Sequence, residues 1–204
     1  MQTFLYAIGF SLLGYLSGSL PFAIWITRLV KGVDVREAGS GHATTTNTIR
    51  QAGFLPGALV FILDVAKGFG PTWLALHYAP VGWIAPLTAA LAVIGHCWPI
   101  FAEFRGGMGL ATANGGMMAA APIAILIIYA MLGLLTVVLR HSARASVITG
   151  ILFAPLLWVV GLRGPVIWIG AVVGLVIAFR FLIDWNRKYR EIWLDREKKP
   201  QKGE

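Results

Sequence analysis

Three stretches of this 204-residue chain gather residue types able to bind or transfer a charged group. Ala38 to Gly53, "AGSGHATTTNTIRQAG", joins Gly39, Ser40, Gly41, four threonines, Asn47 and Arg50 with no carboxylate, so it offers mainly hydrogen-bond donors to an anion. Asp64 and Lys67 stand i, i+3 inside an apolar run, a spacing at which they neutralise each other on one helical face. Gly95 to Thr112 carries His96 and Pro99, then "RGGMG" from Arg105 to Gly109. A glycine loop before a helix is how free backbone N–H groups are presented to an anion. A lysine is expected in the middle of it, and the sequence has Met108. Each stretch also has a plainer reading: a polar connection with caps for the next helix, a structural ion pair, and a histidine anchoring a span end.

The elements that must position these residues are apolar. Hydrophobic residues make up 57% of the chain and charged ones 13%, against about 25% charged in soluble domains. The mean hydropathy is +0.74. An all-α integral membrane protein is expected, as one bundle over residues 1–184 with a basic amphipathic tail over 185–204. Apolar runs lie at roughly 4–30, 54–78, 83–102, 109–139, 146–161 and 165–184. Pro122 divides the longest into Gly109 to Ala121 and Ile123 to Leu139, giving seven transmembrane helices.

Charge placement supports seven over six. With seven spans Arg28, Lys31, Arg36, Arg50, Arg105, Arg140, Arg144 and the basic tail share one face, so the N-terminus is expected outside and the C-terminus in the cytoplasm. The tail sets Trp185, Tyr189 and Trp193 at i, i+4, i+8 among lysines and arginines, the pattern of an interfacial helix on anionic headgroups. The net charge is +8, but where those charges fall matters more than their sum; the lipid bilayer is the expected partner, and no nucleic acid is expected. "MQTFLYAIGF" lacks a signal peptide's basic start and cleavage site, so the first run should stay in the mature chain. The single cysteine, Cys97, leaves no intramolecular disulfide, and no metal or organic cofactor is called for.

In order and spacing these motifs resemble the bacterial PlsY family of acyl-phosphate:glycerol-3-phosphate acyltransferases, over nearly the whole chain. Gly39, Ser40, Gly41, Thr46, Asn47 and Arg50 match its first motif, and Asp64, Lys67 and Gly68 match Asp-x-x-Lys-Gly. Gly95, His96, Pro99 and Phe101, then Gly106, Gly107, Gly109, Ala111 and Thr112, match the third, with Arg105 in place of its first lysine. The serine-containing loop before the sixth span looks like Ser142 to Ser146, and Asn186 alone matches the C-terminal His-x-x-Asn. The resemblance implies transfer of a fatty acyl group from acyl-phosphate to glycerol 3-phosphate, giving lysophosphatidic acid at a bacterial cytoplasmic (inner) membrane. An acyl-phosphate synthase is an implied partner. It assigns catalysis to Ser40, His42, Asn47 and His96. Substrate and phosphate contacts fall to Gly41, Thr46, Arg50, Lys67, Arg105, Gly106, Gly107, Gly109, Thr112, Ser142 and Asn186. The acceptor's own phosphate would assist deprotonation of its hydroxyl, leaving the protein to position and neutralise charge. No His-x-x-x-x-Asp or Gly-x-Ser-x-Gly motif points to another acyl-transfer chemistry.

Four motif positions depart: His42 for Asn, Thr44 for Gly, Met108 for Lys and Ile183 for His. Arg105 and a protonated His42 are expected to make up for the missing lysine. Two other readings stay open: an acyltransferase for another acceptor, and a membrane protein that binds acyl-phosphate or its synthase without turnover.

Overall fold

The computed structural model describes residues 1–186; the expected interfacial tail falls on residues 187–204, outside the described residues, apart from its first two positions. The described residues form nine α-helices: α1 (Gln2–Gly18), α2 (Phe22–Lys31), α3 (Thr45–Ala52), α4 (Phe54–Tyr78), α5 (Ile84–Cys97), α6 (Leu110–Ala120), α7 (Ile123–Leu139), α8 (Ser142–Val159) and α9 (Pro165–Ile183). Two 3-10 turns, Val35–Glu37 and Ile100–Ala102, sit in the connections.

The first apolar run is broken rather than continuous. Pro21 has no N–H to continue α1, so the chain restarts as α2, and the lysine ammonium of α4 takes the carbonyl at the break, Lys67 Nζ donating to Leu20 O at 2.9 Å. Among the described residues, five helical runs are long and apolar enough to cross a membrane: Gln2–Lys31, Phe54–Tyr78, Ile84–Ala102, Ser142–Val159 and Pro165–Ile183. Ile123–Leu139 is a shorter apolar helix. The eleven residues of α6 span only about 16 Å at 1.5 Å per residue. That short helix is buried against α4, α5 and α9, while Leu126, Leu134, Val137 and Val138 of α7 are exposed, as lipid-facing side chains are. The chain is a multi-pass integral membrane protein.

Backbones come close where side chains vanish. A Cβ on Gly68 of α4 would overlap the carbonyl oxygen of Thr112 on α6, and one on Gly115 would overlap that of Val65, so the two helices meet through glycines. Gly150 and Gly174 do the same between α8 and α9. Small residues are the usual means of packing helices in lipid, where dispersion and not water drives association.

The division at Pro122 stands where expected, and α4 has the expected bounds. Two expected loops are helical instead. Thr45–Ala52 forms α3, started by Thr44, whose Oγ1 accepts from Asn47 N at 3.2 Å. Ser142 to Ser146 is the first turn of α8, capped by His141. In both cases the polar residues were those that cap and begin helices, which composition alone reads as loop.

Candidate active site

The α3 region, α4, the end of α5, the start of α6, α7, the start of α8 and the end of α9 enclose a cavity of about 470 Å³. One wall is Ser40, His42, Thr44, Thr45, Thr46 and Arg50; Ser142 and Ser146 face it from α8, and Tyr129 and Thr136 from α7. Asp64 and His96 form part of the lining. The remainder is apolar: Phe61, Met108, Leu110, Leu132 and Phe181, with Gly109 and Ala111 at the start of α6. Leu110, Leu132 and Ser146 also border a smaller cavity of about 20 Å³, which continues between α6, α7, α8 and α9 to Phe153, Val173 and Ile177.

Two clusters of histidine, carboxylate and cation border this space. In the inner one Lys67 Nζ lies 2.9 Å from Asp64 Oδ1, and His96 Nδ1 stands 3.6 Å from the same oxygen. All three are buried, at 6%, 1% and 6% exposure. Lys67 also sits 5.7 Å above the Phe22 ring. In the outer one Arg180, in the last turn of α9, reaches three groups. Its Nε donates to Gly107 O at 3.2 Å, its Nη1 lies 3.3 Å from Asp184 Oδ2, and its Nη2 is 3.2 Å from His42 Nδ1. His42 Nε2 in turn lies 3.1 Å from Asp184 Oδ2.

The glycine loop is not an open cradle. Ala43 N donates to Gly106 O at 3.3 Å and Gly107 N to His96 O at 3.1 Å, so the loop's backbone joins the first polar loop to the end of α5. A Cβ on Gly107 would overlap His96 Nε2, which explains the glycine by close approach. Gly109 takes the left-handed conformation (φ 83°) that lets α6 begin, and of the loop's glycines it alone lines the cavity. Arg105 points away, pairing with Glu37 at 3.2 Å on the surface. Lys67 likewise does not line the larger cavity, its ammonium being taken by Asp64 and Leu20 O.

Asn47 is fully buried and serves the first loop: its Nδ2 donates to Val35 O, Ala38 O and His42 O, and its Oδ1 accepts from Ser40 N. Gly41, in the left-handed region at φ 70°, turns that loop rather than lining the cavity. Thr112 is buried under α4, its hydroxyl away from the cavity lining. Outside the spans, Arg36 braces the same loop by donating to Ala102 O at 2.9 Å. Its side-chain hydrogen bond to Asp34 lowers that carboxyl to about 2.

The family model described as glycerol-3-phosphate acyltransferase matches residues 8–191. The chain belongs to the glycerol-3-phosphate acyltransferase family. Among its relatives, the glycerol-3-phosphate acyltransferase of Aquifex aeolicus is 37% identical over 175 residues, 85% of this chain and 90% of that protein. That of Rubrobacter xylanophilus is 40% identical over 137 residues, 67% and 68% of the two chains. The fold is similar to the crystal structure of PlsY, an integral membrane glycerol 3-phosphate acyltransferase, in its glycerol 3-phosphate form, with TM-score 0.76 and 35% identity over 89% of this chain and 90% of that one. Its lysophosphatidic acid form gives 0.74 at 34% identity over the same shares.

Membership in the acyltransferase family sharpens one register. Ile183, read as standing at the position of the C-terminal motif's histidine, is 59% exposed, and Asn186 is exposed as well. Phe181 is 4% exposed and lines the cavity, while Asp184, three residues on, contacts His42. At His-x-x-Asn spacing, Phe181, which lines the cavity, and Asp184, which contacts His42, stand two residues before Ile183 and Asn186. Of the residues that the sequence singles out, Ser40, His42, Thr46, Arg50, His96, Gly109 and Ser142 line the cavity. Arg180 and Asp184 were missed, although a lone arginine in an otherwise apolar run, with an acid four residues later, is a recognisable signal.

Proposed function

We propose that this chain transfers a fatty acyl group from acyl-phosphate to the hydroxyl of glycerol 3-phosphate, releasing lysophosphatidic acid and inorganic phosphate. The observation that carries the proposal is the polarity gradient of one cavity: hydroxyls and Arg50 at one wall, then apolar side chains leading into the gap between α6 and α9. A phosphate-headed acyl donor needs both environments side by side. The acceptor oxygen forms a bond to the acyl carbonyl carbon, the bond from that carbon to the phosphate oxygen breaks, and the hydroxyl proton leaves with the products on phosphate. The protein supplies position and charge neutralisation. Ser40, Thr46, Arg50 and Ser142 are the candidate donors to phosphate oxygens, and His96 beside Asp64 is the candidate polar group at the deep end.

The topology that serves this reaction has seven spans, counting α1–α2 as one and α6 and α7 as a hairpin, with the polar loops and C-terminus in the cytoplasm of a bacterial inner membrane. An acyl-phosphate synthase on that face is the matching donor source. Two experiments test the reading. Purified protein in liposomes, given acyl-phosphate and glycerol 3-phosphate, should release phosphate and lysophosphatidic acid in equal amounts, and absence of turnover overturns the assignment. A cysteine introduced at His141 should label only from the cytoplasmic side; labelling from outside defeats the topology.

A second acceptor class is favoured by one specific observation. Met108 and Phe181 put apolar side chains where the family motif has a lysine and, in the register set by the cavity, a histidine. An acceptor panel including unphosphorylated polyols separates the two.

A further inference from the structure

We propose that Arg180 is a positioning residue for this acyl transfer, locking the rim of the cavity by tying three separate segments together through His42 and Asp184. The inference rests on the acyltransferase reading above. The guanidinium joins the glycine loop (Gly107 O), the first polar loop (His42) and its own helix end (Asp184), and it is 8% exposed. Arginine only donates, so His42 Nδ1 must accept from it, and the ring proton lies on Nε2, toward Asp184 Oδ2 at 3.1 Å.

This fixes what His42 does. In this arrangement both ring nitrogens are engaged, one by Arg180 and one by Asp184, so the ring is a neutral strut. It is neither the general base nor the protonated substitute for a loop lysine that its sequence position suggests. Its attachment matters because His42 O also accepts from Asn47 Nδ2, the amide that organises the whole loop bearing Ser40, and because Ala43 N bonds to Gly106 O in the glycine loop. The loop that carries Ser40 and leads into Arg50 is thereby held against the glycine loop by one planar cation.

A second observation supports a matched unit. His42 and Asp184 both differ from the family's motif, which has asparagine at the first of these positions and, in the register set by the cavity, at the second. Two uncharged amides replaced by a histidine and an aspartate that contact each other, with an arginine touching both, form one substitution in physical terms.

The experiment is steady-state kinetics on the full chain in liposomes with acyl-phosphate and the acceptor that the wild type uses best. Arg180→Lys keeps the charge but loses the planar three-way fork. It is expected to lower kcat at least tenfold and to change the KM for acyl-phosphate less than threefold, since Thr46, Arg50 and Ser142 are carried on α3 and α8 and not on the loop that Arg180 holds. A wild-type kcat in Arg180→Lys overturns the proposal, and so does a loss confined to KM. Should that variant fail to fold, His42→Asn, Asp184→Asn and their double provide a cycle. Each single is expected to cost about tenfold in kcat, with the double at least fivefold better than the product of the two. Independent, multiplying effects overturn it. A wild type that turns over no acceptor instead defeats the acyltransferase reading itself, a distinguishable failure.

Discussion

The inner and outer histidine clusters contain the same three kinds of group and are built in opposite ways. Asp64 and Lys67 are neighbours on one helix, and His96 comes from the adjacent α5; nothing in the arrangement requires a loop to take a particular shape. His42 and Arg180 are 138 positions apart, and their contact exists only because a glycine loop, a capped two-turn helix and the end of α9 converge. The inner cluster also has a structural task, since Lys67 holds the carbonyl freed where α1 breaks. The outer cluster holds a loop carbonyl instead, Gly107 O taken by Arg180 Nε, and three of its positions or neighbours (His42, Met108, Asp184) differ from the family's motif. The difference teaches that the charges joining membrane helices keep the motif residues, while those joining loops at the cavity's rim depart from them.

The sharpest way to break this comparison is Lys67→Met. It leaves the Asp64 carboxylate buried without its cation, and removing one partner of such a pair costs about 3–5 kcal/mol. Folded yield in detergent should collapse and the thermal midpoint fall steeply. Asp64→Asn combined with Lys67→Met should recover most of the stability but not the activity, because Asp64 lines the cavity. Equal stability of Lys67→Met and wild type would show that the inner cluster is not a structural unit.

Next in size is Arg50→Ala against Arg163→Ala. A charge-assisted hydrogen bond is worth about 1.5–3 kcal/mol, so the first should lower turnover at low substrate by one to two orders of magnitude. Arg163 stacks on Trp158 at the far end of α8 and should tolerate replacement. If Arg50→Ala keeps full turnover at low substrate, the hydroxyl wall is not the phosphate end.

A smaller effect, of opposite sign, is expected from Met108→Lys, which returns a cation to the rim. If the acceptor is phosphorylated, its apparent KM should drop by about tenfold, the equivalent of one modest charge-assisted contact. A rise in that KM, with loss on a neutral acceptor, would instead favour the exchanged-acceptor reading. Measuring both acceptors side by side decides between them.

The least effect lies outside both clusters. Asp34, normally near 3.8, is lowered to about 2 by Arg36, so its folded-state contribution is complete above 3.8 and lost as pH falls through about 2. Arg36→Leu should therefore lower stability at neutral pH, where that contribution is complete, and move the acid-unfolding midpoint upward, while the difference from wild type vanishes below about pH 2. An unshifted midpoint, followed by tryptophan fluorescence in detergent, would remove Asp34 from the acid transition.

Read alone, the amino-acid sequence determined what depends on neighbours along the chain. Apolar run length set the helices, Pro122 the division of α6 from α7, and the i, i+3 spacing the Asp64–Lys67 pair, because each follows from helical geometry within a few residues. Motif order also singled out Ser40, Thr46, Arg50 and His96, all of which line the cavity. The tertiary structure alone decided which polar groups remain available to a ligand. Arg105 and Lys67 are both cations in good motif positions, yet one is paired with Glu37 and the other with Asp64 and Leu20 O. The same holds for the "RGGMG" backbone, whose donor at Gly107 is taken by His96 O, and for the end of α9, where a two-residue shift of register puts Phe181 in the cavity and Ile183 outside it. A hydrogen-bonding group is spent or free according to what lies within about 3 Å of it, and along this chain those partners come from segments tens of residues away.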